Sequence, residues 1–222
     1  SHLLEESHLA LIGARIGTAG LAGSQQIFLT RASSAFETAR MLKQLATTGA
    51  TSVGLVYEND AYGREVLASA QKQAAANHLR LIPASYLAGS ALVDGAVGAM
   101  LRSSPQAIML ASQTAGAAAF IQRYRARNGS AQLVGLSLVE GGHLAKIIGQ
   151  QAAHGVGVVE VAPNTLNESV PLVREFRAAW RKYGPADVEP SQAMMEAYVS
   201  GRVLIEGLRR AGGRPTREGL VT

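Results

Sequence analysis

Apolar positions along the chain follow two rhythms. Short continuous apolar runs alternate with longer stretches in which apolar residues recur every three or four positions. The clearest run is Ser52–Tyr57 (SVGLVY), which reads as a parallel strand buried on both faces. Leu79–Ser85, Gln106–Ala111, Gln132–Leu136 and Gly155–Val161 read as further strands. Ala61–Asn77, Asp94–Ser104, Thr114–Arg127 and Gly142–Ala153 read as the helices between them. Pro105 ends the second of these helices and Asn128–Gly129 the third. From Ser52 to Val161 the order is thus β-α-β-α-β-α-β-α-β with short connections. That order demands a parallel sheet with helices on both faces, an α/β architecture.

The flanks read differently. Leu9–Ile12 and Ile27–Arg31 are short extended pieces around a glycine-rich loop, Gly13 to Gly23. Ser33–Thr48 reads as a helix, with Ser33 or Ser34 as cap, Phe36, Met41, Leu42 and Leu45 on one side, and Gly49 as its stop. After Pro163 come two helices. Pro171–Tyr183 carries the stripe Leu172, Val173, Phe176 and Trp180, and Ser191–Ala211 carries Met194, Met195, Tyr198, Val199 and Val203. Thr216 is placed to cap a last short turn. The flanks pair into one lobe if the chain crosses over near Gly49 and near Pro163. The expected domains are therefore a partial lobe I from residues 1–49 and 164–222, and a lobe II from residues 50–163. Two short strands are fewer than the roughly five of an ordinary covered sheet, so lobe I is expected to lack strands.

Composition narrows the function. The charged fraction is 17%, below the roughly 25% of an average soluble chain, yet Leu, Ile and Val at regular spacing oppose disorder. No apolar run reaches the length of a membrane span, and SHLLEESH, with two acids and no Lys or Arg, does not read as a signal peptide. The absence of cysteine removes disulfides, cysteine nucleophiles and cysteine-held zinc. The net charge of +5 raises nucleic acid as a partner, but the arginines are scattered or lie on helices, without interleaved aromatics. The reading is a solvated basic surface and no nucleic-acid partner.

Catalytic signatures are missing. His2, His8, His78, His143 and His154 have no metal-ligand spacing, and neither a GxSxG elbow nor a GxxxxGK[ST] loop occurs. No cofactor or metal is required. What remains is the set of loops at the carboxyl ends of strands, where open α/β sheets bind ligands. They read GARIGTAG after Ile12, ENDAYG after Tyr57, SQTAG after Ala111 and SLVEGGH after Leu136. Backbone N–H groups at helix N-termini suit a carboxylate, while Glu58, Asp60 and Glu140 suit an ammonium. Each polar residue can equally be a helix cap. An enzyme using Glu140 or His143 stays open as an alternative.

Val53–Tyr57 followed by Glu58-Asn59-Asp60-Ala61-Tyr62-Gly63 resembles a strand and turn of the periplasmic solute-binding receptors of the branched-chain amino acid type. IFLTRASSAFETARML before it, and PQAIMLASQTAGAAAFIQRYRARNG, GLSLVEGGHLAKIIGQQAAHGVGVVEVAP and MMEAYVSGRVLIEGLRRAG after it, are similar to the same family in the same order. The resemblance implies the type I periplasmic binding-protein fold: two three-layer lobes with parallel sheets, here with the first incomplete. It implies two lobes that close by a hinge on a small ligand, which is then presented to the permease of an ABC transporter. It places the protein in the periplasm or otherwise outside the cytoplasmic membrane. It also implies a chain truncated at both ends relative to the family, whose members begin with a further βαβ block.

Carried over by position, Ile16, Gly17 and Thr18 face the ligand's polar ends from the first lobe, and Tyr62 covers the ligand from the second. Gln113, with Thr114 beside it, and Ser137 stand where the branched-chain receptors place an aromatic and an acid around the ammonium. Glu140 is a nearby replacement for that acid at a different spacing. An amino acid and a small carboxylate both remain as ligand classes, and a ligand-sensing regulatory domain of the same fold remains as an alternative.

Overall fold

The computed structural model describes residues 2–16 and 24–221. In chain order the elements are α1 (His2–Ser7), β1 (Leu11–Ile12), β2 (Ile27–Phe28), α2 (Ser34–Thr47), β3 (Ser52–Glu58), α3 (Ala61–Ala76), β4 (Arg80–Tyr86) and α4 (Asp94–Ser103). They continue with β5 (Ala107–Ala111), α5 (Thr114–Ala126), β6 (Gln132–Gly135), α6 (Gly141–Ile148), α7 (Gln150–Ala153) and β7 (Gly157–Val158). The last three are α8 (Pro171–Tyr183), α9 (Gln192–Arg210) and α10 (Arg217–Val221). The chain divides into a flanking unit, Ser1–Ser33 with Glu160–Thr222, and a central unit, Ser34–Val159.

The central unit is built on a parallel five-stranded sheet of order β4-β3-β5-β6-β7. Val53 lies opposite both Leu81 and Ala107, and Ile108 opposite Leu133. Side chains alternate across a strand, so each central strand feeds two cores. Val53, Leu55 and Met109 enter one with Val66 and Ala70 of α3. Val56, Ile108 and Leu110 enter the other with Val97 and Met100 of α4 and Phe120, Ile121 and Tyr124 of α5. Every residue of β5 is buried, as a strand covered on both faces requires.

Helix α2 belongs to this central unit. The sequence pattern places residues up to 49 in the first lobe, but Leu42 and Leu45 are buried in the core that also holds Val66 and Ala70. An amphipathic helix follows the surface that covers its apolar stripe, and here that surface is α3 and the sheet. The helix expected over Gly142–Ala153 is interrupted at Gly149, whose φ of +81° lies outside helical backbone. The strand expected over Gly155–Val161 is only the two residues of β7.

In the flanking unit β1 and β2 form a parallel pair with Leu11 opposite Ile27. Its core is Val173 and Phe176 of α8 against Met195 of α9, with Trp180 and Tyr198 around them. The Phe176 ring lies 5.4 Å from Tyr198 and 6.2 Å from Trp180, both tilted. Ser191 caps α9 by accepting a hydrogen bond from Met194 N at 3.3 Å. Pro171 stands at the start of α8, where a missing N–H costs nothing.

Candidate functional site

The strand order of the central sheet reverses between β3 and β5. At such a switch point the loops leave in opposite directions and open a crevice at the carboxyl ends of the strands. Glu58, the last residue of β3, stands there and is 5% exposed. One carboxylate oxygen accepts from Gln113 N at 2.9 Å and from the Tyr86 hydroxyl at 3.2 Å. The other accepts from Gly89 N at 3.1 Å. A single buried acid thus ties together the loops after β3, β4 and β5. Burial pushes the Tyr86 hydroxyl well above its ordinary range; a bond with Ser112 opposes this, and the charge of Glu58 adds to it.

The turn ENDAYG is built by the same local chemistry. Asp60 caps α3, accepting from Gly63 N at 2.7 Å. Gly63 is required because any Cβ there would overlap the Glu58 carbonyl oxygen. The two acids of this turn are therefore occupied by protein groups. The sequence offered both as partners for a ligand ammonium; in the structure each accepts hydrogen bonds from protein groups.

The next two loops are joined through Thr114. Its hydroxyl donates to the Leu138 carbonyl at 3.3 Å and accepts from Glu140 N at 3.0 Å. Glu37 of α2, also buried, accepts from Ser137 N at 3.1 Å. The loop after β6 is thereby held from two sides. Gln113, which precedes α5, is exposed, and Glu140, which precedes α6, is half-buried. His143 is exposed on the first turn of α6.

The structure brings Gln113, Thr114, Ser137 and Glu140 together at one end of the central sheet. Thr114 and Ser137 are buried there, so they shape the loops, while Gln113 is exposed and Glu140 half-buried. Tyr62 is 6% exposed and packs in the core cluster with Leu136 and Leu138. Ile16 belongs to the flanking unit and is 39% exposed. Gly17 and Thr18 lie outside the described residues. Glu37 and the bracing role of Glu58 were not legible in the sequence, because their partners come from loops far along the chain. Among the described residues no group of three or more His, Asp or Glu is placed to hold a metal ion. No described helix is long and apolar enough to cross a membrane.

A parallel switch-point sheet with amides, hydroxyls and acids in its carboxyl-end loops is the arrangement in which open α/β folds hold small ligands. The family model for periplasmic binding proteins matches residues 1–222, and the chain belongs to that family. Among solved structures it is similar to a substrate-binding periplasmic protein from Ralstonia solanacearum. The identity is 36% and the TM-score 0.92, over 99% of this chain and 62% of the other. It shares its fold with a branched-chain amino acid ABC transporter protein from Thermus thermophilus with bound valine. There the identity is 19% and the TM-score 0.86, covering 99% of this chain and 59% of that one. It also shares the fold of a solute-binding protein from R. palustris in complex with benzoate, at 17% identity and TM-score 0.82, covering 99% and 61%. The fold is the type I periplasmic binding-protein fold. The chain spans about three fifths of the length of these proteins. No curated protein matches it by sequence.

Proposed function

We propose that the chain is the ligand-binding part of an extracytoplasmic receptor that captures a small polar metabolite for an ABC importer. The metabolite is an amino acid or a small carboxylate. The observation that carries this reading is the match of the whole chain to the periplasmic binding protein family. The neighbours with valine and with benzoate bound share a carboxylate as the common ligand group. In this reading the protein acts by binding and not by turnover.

On the central unit, the ligand meets the outward Gln113 amide and the first-turn N–H groups of α5. Glu140 sets the choice between ligand classes: it favours an ammonium and disfavours a second carboxylate. Thr114 and Ser137, both buried, hold the loops of this face, and Tyr62 packs against Leu136 and Leu138. The loop after β1, through Ile16, meets a polar group of the ligand.

A thermal-shift screen of the full-length protein against amino acids and small aromatic and aliphatic carboxylates tests the reading. A ligand at a hundred times its Kd stabilises by about 2.7 kcal/mol, which is roughly 5–10 °C for a chain of this size. Absence of a shift across the whole panel counts against it.

A further inference from the structure

We infer that the buried ion pair Arg31–Glu196 is a positioning device for the loop that follows β1, the loop carrying Ile16. This inference rests on the reading that this loop meets the ligand. Arg31 lies just beyond β2, and Glu196 lies in the second turn of α9. Their side chains are 4% and 12% exposed, with Nη1 3.1 Å from Oε2. The same Nη1 donates to the carbonyl of Arg15, one residue before Ile16.

The surroundings make a seat for that loop. Ser200, one turn after Glu196 on α9, donates to the Glu196 carbonyl at 2.9 Å. Its oxygen therefore accepts from the Thr30 hydroxyl, also at 2.9 Å. Gly13 passes directly over Ser200 with φ of +72°, and a Cβ there would overlap the serine side chain. Gly13 N donates to the Phe28 carbonyl at 2.8 Å. One face of α9 thus holds the exits of both strands, β1 through Gly13 and Arg15, and β2 through Thr30 and Arg31.

Stability alone does not account for the pair. Desolvation offsets most of the Coulomb gain of a buried ion pair, and an apolar pair of similar volume usually serves as well. An apolar pair cannot hold the Arg15 carbonyl. The cavity lined by Gly13, Thr30, Arg31, Glu196 and Ser200 is about 100 Å3. That is well below the several hundred Å3 of a metabolite site, so Arg31 positions the loop and does not itself receive the ligand.

The experiment compares the full-length protein with the double variant Arg31→Met/Glu196→Leu and with Arg31→Lys. The double variant removes both charges of the pair together, so neither is left facing the other's empty place. The Lys amine ends short of the Nη1 position, so it keeps the charge but not both contacts. Thermal unfolding, titration with the ligand found by the screen, and hydrogen exchange of the Ala14–Ile16 amides are measured for each. The double variant is expected to melt within a few degrees of wild type while its affinity falls about tenfold, because the loop is no longer preorganised. Exchange at Ala14–Ile16 is expected to accelerate in both variants, whether or not a ligand has been found. Unchanged affinity together with unchanged exchange overturns the inference. If the double variant does not fold, Arg31→Lys alone decides by the same two readouts. A wild type that binds nothing defeats the functional reading instead, and the exchange result still judges the positioning role.

Discussion

Replacing Glu58 by Gln tests the brace at the switch point. The carboxylate accepts three hydrogen bonds, two of them from backbone N–H groups. Gln keeps one acceptor oxygen, best used for Gln113 N and the Tyr86 hydroxyl. Its amide nitrogen then faces Gly89 N–H, donor against donor. One charge-assisted bond, from the N–H of the exposed Gly89, is lost, a cost of about 1.5–3 kcal/mol. For a protein of this length each kcal/mol moves the midpoint by roughly 2–4 °C, so Glu58→Gln is expected to melt about 3–12 °C lower. Thermal unfolding followed by circular dichroism reads this directly. If the acid were instead reserved for a ligand ammonium, the ligand-free protein would lose nothing. A variant that melts at the wild-type temperature without ligand refutes the brace.

Two further outcomes follow from the same loops. The folded-state pKa of Tyr86 lies above its ordinary value near 10, so the folded state holds a proton that the unfolded state gives up on the alkaline side. The contribution is complete below about pH 10 and is lost as pH rises toward the folded value; Tyr86→Phe is expected to flatten this alkaline loss in a stability-against-pH series. A Gly to Ala change inside a helix ordinarily stabilises by about 0.5–1 kcal/mol. Gly63→Ala is expected to do the reverse, because its Cβ overlaps the Glu58 carbonyl, and denaturant unfolding with a raised midpoint would contradict that packing.

The central unit was legible in the sequence because its strands are buried on both faces. SVGLVY and AIMLA can be little else when they alternate with helix-spaced stretches, and β3, α3, α4, β5 and α5 fall within a residue or two of expectation. The domain boundary was not legible. Local spacing revealed the apolar stripe of α2, but only packing decides which sheet covers Leu42 and Leu45. Helix α1 was missed because HLLEES is one and a half turns with no stripe to read. The candidate site divides the same way. Hydroxyls, amides and acids at the carboxyl ends of strands are visible as a pattern of loops. Their partners are not, since Glu58 is satisfied by groups 28, 31 and 55 residues further along the chain. A free acid and an occupied one look identical in sequence, and Asp60 and Glu58 both proved occupied.

The most direct test of the account is isothermal titration of the full-length protein with the same panel of amino acids and small carboxylates. The account predicts saturable heat for one ligand class at one site per chain, with affinity reduced in Gln113→Ala while the melting temperature holds. No heat from any member of the panel, or full affinity retained in Gln113→Ala, would contradict it.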